Sequence, residues 1–210
     1  MDFIKQPMEI ENKSMDIIAP YLADLNLNEA ETKVYSRMIH ASGDVSYAEV
    51  IRMSSDAIEA TKAALLRGAN IYTDVEMVRT GIHKPSFNRY GGKIECMISD
   101  PEIAEKAKRE GTTRAMAAMR YFGKALDGAI VAIGNAPTAL FEVLRMAREE
   151  NIRPAAIIGI PVGFVGAADS KAELAEFGEI PYVTVEGTKG GSPIAASVIN
   201  AVLYLIDNRR

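Results

Sequence analysis

Five short segments of the chain carry the hydrophobic spacing of buried strands: Ile71–Val75, Lys93–Ile98, Gly128–Ile133, Ala155–Ile160 and Pro181–Val185. Two of them, GAIVAI and AAIIGI, are apolar almost throughout. Unbroken runs of this kind predict strands covered on both faces, as in a parallel sheet. The segments between them have helical periodicity and recognisable starts. Asn28 and Glu31 have capping-box spacing ahead of a helix over Glu29–Ser42. Asp100-Pro101 and Ser192-Pro193 each place a capping side chain before a proline at the first helical position, the second opening a helix over Ile194–Asp207. Asn135-Ala136-Pro137 opens another that runs to about Glu149. Strands alternating with helices predict a three-layer α/β/α domain with a mainly parallel, Rossmann-like central sheet of about five strands. The first 65 or so residues read as three helical segments without a strand, packed on the sheet within one domain spanning 1–210. Ser14 reads as the N-cap of the first helix, and Met38, Met53 and Met77 as core filler.

In such sheets ligands sit beyond the carboxyl ends of the strands. Here those ends carry Asp74-Val75-Glu76, Gly134-Asn135-Ala136-Pro137, Pro161-Val162-Gly163-Phe164 and Gly187-Thr188-Lys189-Gly190-Gly191-Ser192. Glycine turns that lead into helices suit anions through exposed N–H groups and the helix dipole. The same glycines serve equally well as mere βα turns.

Composition narrows the function. Of 210 residues, 48% are hydrophobic and 25% charged, a globular composition rather than a disordered one. With 24 basic and 28 acidic residues the net charge is −4, which argues against a broad nucleic-acid surface. One cysteine, Cys96, excludes a disulfide framework and a multi-cysteine zinc site, and two histidines leave little for a metal centre. The N-terminus has no apolar signal region and the longest apolar runs last five or six residues, so the expected protein is soluble and cytoplasmic, with no membrane partner. No dinucleotide fingerprint, Walker loop, nucleophile elbow or zincin motif is present.

His40 is a candidate for chemistry. On the Glu29–Ser42 wheel, Val34, Tyr35, Met38 and Ala41 share the core face, and His40 lies opposite with Lys33, Ser36 and Arg37. That position fits a solvated histidine, or a proton donor and acceptor for a ligand. His83 falls in a polar loop. Arg114 follows Gly111-Thr-Thr at a helix start, a place that fits a carboxylate clamp or a solvated charge.

The runs SRMIHASGD (36–44), DVEMVRTGI (74–82), SDPEIAEKAKREGTTRA (99–115), AIGNAPTALFEVL (132–144), GIPVGFVGAADSK (159–171) and GTKGGSPIAASVINA (187–201) together resemble the precorrin-8X / cobalt-precorrin-8 methylmutase family of cobalamin biosynthesis. The resemblance extends from about Ile10 to Val202. It implies an isomerase that moves a methyl group from carbon 11 to carbon 12 of a corrin-type tetrapyrrole, without redox cofactor or methyl donor. It implies His40 as the catalytic proton donor and acceptor. By the same resemblance Ser14, Arg37 and Arg114 contact the substrate, with Asn135, Gly163, Lys189, Gly190 and Gly191 as further contributors, no metal ligand, and a homodimer. Two positions depart from the common pattern: Ser42 stands where cysteine is frequent, and Thr188 where an arginine is usual. A non-catalytic corrinoid carrier on the same fold, and a nucleotide-binding α/β enzyme, are the competing readings.

Overall fold

A computed structural model describes residues 4–208. The helices are α1 (Pro7–Ile18), α2 (Glu29–Ser42), α3 (Tyr47–Val50), α4 (Ala57–Leu66), α5 (Glu76–Gly81), α6 (Lys84–Phe87), α7 (Pro101–Glu110), α8 (Arg114–Phe122), α9 (Pro137–Glu149), α10 (Ala167–Phe177) and α11 (Ser192–Ile206). The strands are β1 (Ile51–Met53), β2 (Ile71–Thr73), β3 (Ile94–Cys96), β4 (Ile130–Ile133), β5 (Ala156–Gly159) and β6 (Tyr182–Val185). They form one sheet in the order β1-β6-β5-β4-β2-β3, in which β1 is antiparallel to β6 and the other neighbours are parallel.

The unbroken apolar strands have the cause their pattern predicts. In β4, Ile130 and Ala132 enter the core under α2, α4 and α11, while Val131 and Ile133 enter the core under α8, α9 and α10. Successive side chains point to opposite faces, so a strand covered on both sides must be apolar at every position. The result is the expected three-layer α/β/α architecture.

Several expectations need correction. The N-terminal region contains a strand, β1, so the sheet has six strands and an antiparallel edge. Three residues with one buried side chain, Ile51, present no readable run. Pairing with β6 through Ile51↔Val185 and Met53↔Val183 makes the strand. Ser14 is not an N-cap: α1 begins a full two turns earlier, at Pro7, whose fixed φ suits the first helical position. Ser14 lies mid-helix and its hydroxyl donates to Ile10 O at 2.8 Å. Ser192 is inside α11, with Gly191 as N-cap. Met77 is exposed, on a six-residue helix that buries Val78 instead. Ala41 is exposed as well, and Ile39 takes its expected core place. The capping signals of α2 and α7 are present: Asn28 and Glu31 bond reciprocally at 2.9 and 2.8 Å, and Asp100 accepts from Glu102 N at 2.8 Å and Ile103 N at 3.2 Å. Among the described residues no helix is long and apolar enough to cross a membrane.

Candidate active site

Helix α2 brings Arg37 and His40 to one side, a turn apart. The hydroxyl of Tyr35, on its core side, donates to Ile51 O at 3.2 Å and ties the helix to β1. His40 is exposed and lines a cavity of about 210 Å³ with Arg37, Ala41, Ser197, Asn200 and Tyr204. The far wall is α11. Asn200 is held in place, since its carbonyl accepts from His83 N at 2.7 Å and its amide donates to Gly81 O at 2.9 Å.

Two larger cavities adjoin this one. A cavity of about 680 Å³ between α1, α2 and α11 shares Arg37 and Tyr204 with it. Another of about 460 Å³, at the carboxyl edge of the sheet, shares Ala41 and is lined by Asp44, Tyr47, Val162, Lys189 and Gly190. His40 therefore lines the middle one of three neighbouring cavities (together, the groove), with Arg37 on the side shared with the first and Lys189 in the third.

The cations on this groove are already engaged. Arg37 pairs with Glu11 of α1 and lies 4.9 Å over the Tyr204 ring. Lys33 pairs with Glu29 at 3.1 Å. Lys189 Nζ bonds Asp44 Oδ2 at 2.6 Å and also reaches Ser46 Oγ. Gly43, at φ 66°, closes α2 in the left-handed conformation and turns the chain so that Asp44 stands at the helix end. Asp44 Oδ1 accepts from Ser46 N at 2.9 Å. Its hydrogen bond from Lys189, reinforced by those from Ser46, holds the Asp44 carboxyl down at about 2.

The glycine turns carry structure more than open anion sites. Asp74, fully buried at the end of β2, fills the Gly134 turn: its carboxylate accepts from Gly134 N at 2.9 Å, Asn135 N at 2.9 Å and Ala136 N at 2.6 Å. Gly163 N donates to Thr188 O at 3.1 Å, and Gly191 N to Ile160 O at 2.9 Å. These bonds lock the loop after β5 to the loop after β6. Lys171, buried on α10, adds a third tie from its ammonium group to Lys189 O.

The structure thus brings His40 and Arg37 to one cavity, and Lys189 and Gly190 to the cavity next to it. Ser14 is on α1, which forms a wall of the groove through Glu11 and Met15. Arg114 is exposed at the start of α8, beside α9 through a 2.9 Å contact between the Thr113 and Thr138 hydroxyls. Arg114 belongs to the layer on the other side of the sheet and the exposed Asn135 to the turn between β4 and α9, and neither lines the His40 groove. Cys96 is half-buried, and burial pushes its thiol up, away from thiolate reactivity. Asp44, Glu11, Asp74 and Lys171 had no role assigned from sequence, although the DVEM and DSK segments contain two of them. Among the described residues no group of three or more histidine, cysteine or acidic side chains is placed to hold a metal ion.

Residues 9–205 match the family model described as precorrin-8X methylmutase. A cobalt-precorrin-8 methylmutase of Priestia megaterium is 41% identical, over 97% of this chain and 90% of that protein. A precorrin-8X methylmutase of Sinorhizobium is also 41% identical, over 96% of each chain. The crystal structure of a precorrin-8X methylmutase from Thermus thermophilus superposes with a TM-score of 0.86 at 33% identity, covering 95% of this chain and 98% of that one.

Proposed function

This chain belongs to the precorrin-8X methylmutase family, and from that premise we propose that it moves a methyl group from carbon 11 to carbon 12 of a corrin-type tetrapyrrole in cobalamin biosynthesis, with His40 passing a proton to and from the ring. The reaction is an isomerisation: one carbon–methyl bond breaks, another forms, and no atom is gained or lost. A protonated ring is electron-poorer, which favours migration of the methyl group within it. Relatives at the same 41% identity carry the cobalt and the metal-free name, so the proposal covers both forms of the ring.

The observation that carries this reading is the place of His40, exposed in a cavity that it shares with Arg37 and that adjoins the cavity lined by Lys189. A ring bearing several carboxylates needs cations spread over its width, and arginine is well suited to hold a carboxylate by two hydrogen bonds. Ser14 is proposed as a contact for carboxylates further out; Arg114 and Asn135 stand outside the groove and keep only the substrate-binding role that the family resemblance implies. Gly163, Gly190 and Gly191 are proposed to shape the loop that presents Lys189. The described chain acts as one unit and works in the cytoplasm as a homodimer. The exposed apolar pair at the tip of the loop after β5, Phe164 at 93% and Val165 at 90%, is the surface proposed to meet the second copy.

The test is incubation with cobalt-precorrin-8 or precorrin-8X and no added cofactor. Wild-type protein should change the absorbance spectrum of the ring. His40→Ala should bind the ring, retain its melting temperature, and produce no spectral change. Turnover by that variant at the wild-type rate rejects the role of His40; absence of change with wild type favours a carrier.

A further inference from the structure

Each cation lining the groove around His40 is bonded to a carboxylate of the chain itself: Arg37 to Glu11, Lys33 to Glu29 and Lys189 to Asp44. Glu11 and Asp44 stand on the groove wall with their cations, one pair to either side of the histidine. Arg37 with Glu11, and Lys189 with Asp44, sum to zero charge. As it stands, this stretch offers a polyanion little attraction, although it is the part of the protein that should receive one.

We infer that Glu11 and Asp44 are place-holding carboxylates, which occupy Arg37 and Lys189 in the empty site and give them up to carboxylates of the ring by exchange. The inference rests on the reading that ring carboxylates meet those two cations. Local geometry allows the exchange without disturbing the fold. Asp44 binds Lys189 through Oδ2 alone, while Oδ1 stays on Ser46 N and Ser46 Oγ at 2.9 and 2.7 Å. The Lys189 and Asp44 side chains are 41% and 43% exposed, so water solvates both as they part. Lys189 also keeps its fixed base, because Lys171 holds its carbonyl. Arg37 remains stacked on Tyr204 while its guanidinium changes partner.

Exchange selects for carboxylates. A neutral ring bearing esters in the same positions offers nothing to take over the cations, and leaves both internal pairs closed. Glu11 and Asp44 are then specificity-determining residues, acting by competition for Arg37 and Lys189.

The probes are cobyrinic acid, which carries the ring carboxylates, and its heptamethyl ester. Asp44→Asn keeps an oxygen for Ser46 N and should tighten binding of the acid about three- to fivefold, the worth of an exposed ion pair, with no change for the ester. Glu11→Gln should do the same through Arg37. In a Lys189→Met background, Asp44→Asn should no longer affect the acid. An unchanged or weaker affinity for the acid removes that carboxylate from the role, and failure of both variants overturns the inference. Equal tightening with Lys189 absent also overturns it, since that is general charge repulsion. If wild-type protein binds neither probe, the corrinoid reading falls and this inference with it; binding of the acid with no response to either substitution sinks the exchange alone.

Discussion

The buried ammonium group of Lys171 donates a hydrogen bond to the main-chain carbonyl of Lys189, eighteen positions further along the chain. Lys171 is 1% exposed, and burial draws its pKa from 10.5 down to about 8. The amine of the unfolded chain keeps its proton to a higher pH than that of the folded one. Between about 8 and 10.5 the unfolded state therefore binds more protons, and stability rises with pH across that window. In denaturant melts wild type should gain on Lys171→Met as pH climbs from 8 towards 10. A constant difference between the two would contradict the buried charge. The variant should also raise KM for the ring more than it lowers kcat, because it frees the loop that carries Lys189 and leaves His40 alone.

Asp74 supports a different turn. Burial pushes its carboxyl above the usual range, against the pull of the Gly134, Ala136 and Asn135 amides. Both oxygens accept N–H groups, so an amide nitrogen in either place faces a donor. Asp74→Asn should lower stability by about 1–3 kcal/mol, the cost of a buried donor left unsatisfied, read from urea midpoints at constant m-value. A variant as stable as wild type would show that the turn rearranges freely.

Glu142 of α9 is 1% exposed and sits between two guanidinium groups. Arg120 bonds it at 2.9 and 3.0 Å, and Arg145 at 2.9 and 2.6 Å. Burial opposes the charged carboxylate, but the hydrogen bonds from Arg120 and Arg145 outweigh it and hold the pKa below 4.5. Its contribution is present above pH 4.5 and is lost as the pH falls through the lower, folded value. Glu142→Gln should cost about 1–2 kcal/mol at pH 7, less than for a fully buried pair because Arg120 and Arg145 are 31% and 35% exposed and keep Glu110, Glu149 and Glu150, and the gap to wild type should narrow in acid. Calorimetry at pH 7 and at pH 3 makes the comparison.

Gly190 has φ 150°, and a Cβ there would lie 2.6 Å from Ile160 O and 2.9 Å from Pro161 O. Gly190→Ala should displace the loop between β6 and α11, costing about 1–3 kcal/mol in stability and weakening corrinoid binding. Gly187, at φ 72° with open space around it, makes the control: Gly187→Ala should cost about 1–2 kcal/mol and leave binding intact. Equal effects of the two on ring affinity would argue against the close approach as the cause.

The sequence by itself determined the layered architecture, the parallel core of the sheet, the capped starts of α2 and α7 and the polar side of His40. Each depends on interactions within a few residues or on one rule applied along a strand. A buried strand must be apolar at every position, and a cap must meet N–H groups two or three residues on. Tertiary structure alone decided the rest. β1 exists because β6 completes its ladder, and its three residues carry no signal of their own. Ser14 went to mid-helix because Pro7 set an earlier start. The Glu11–Arg37 and Asp44–Lys189 pairs join residues 26 and 145 positions apart, and Asp74 meets the Gly134 turn across 60. Charges that distant acquire partners only when the layers close, so the groove around His40, and the state of the cations in it, is a property of the packed chain.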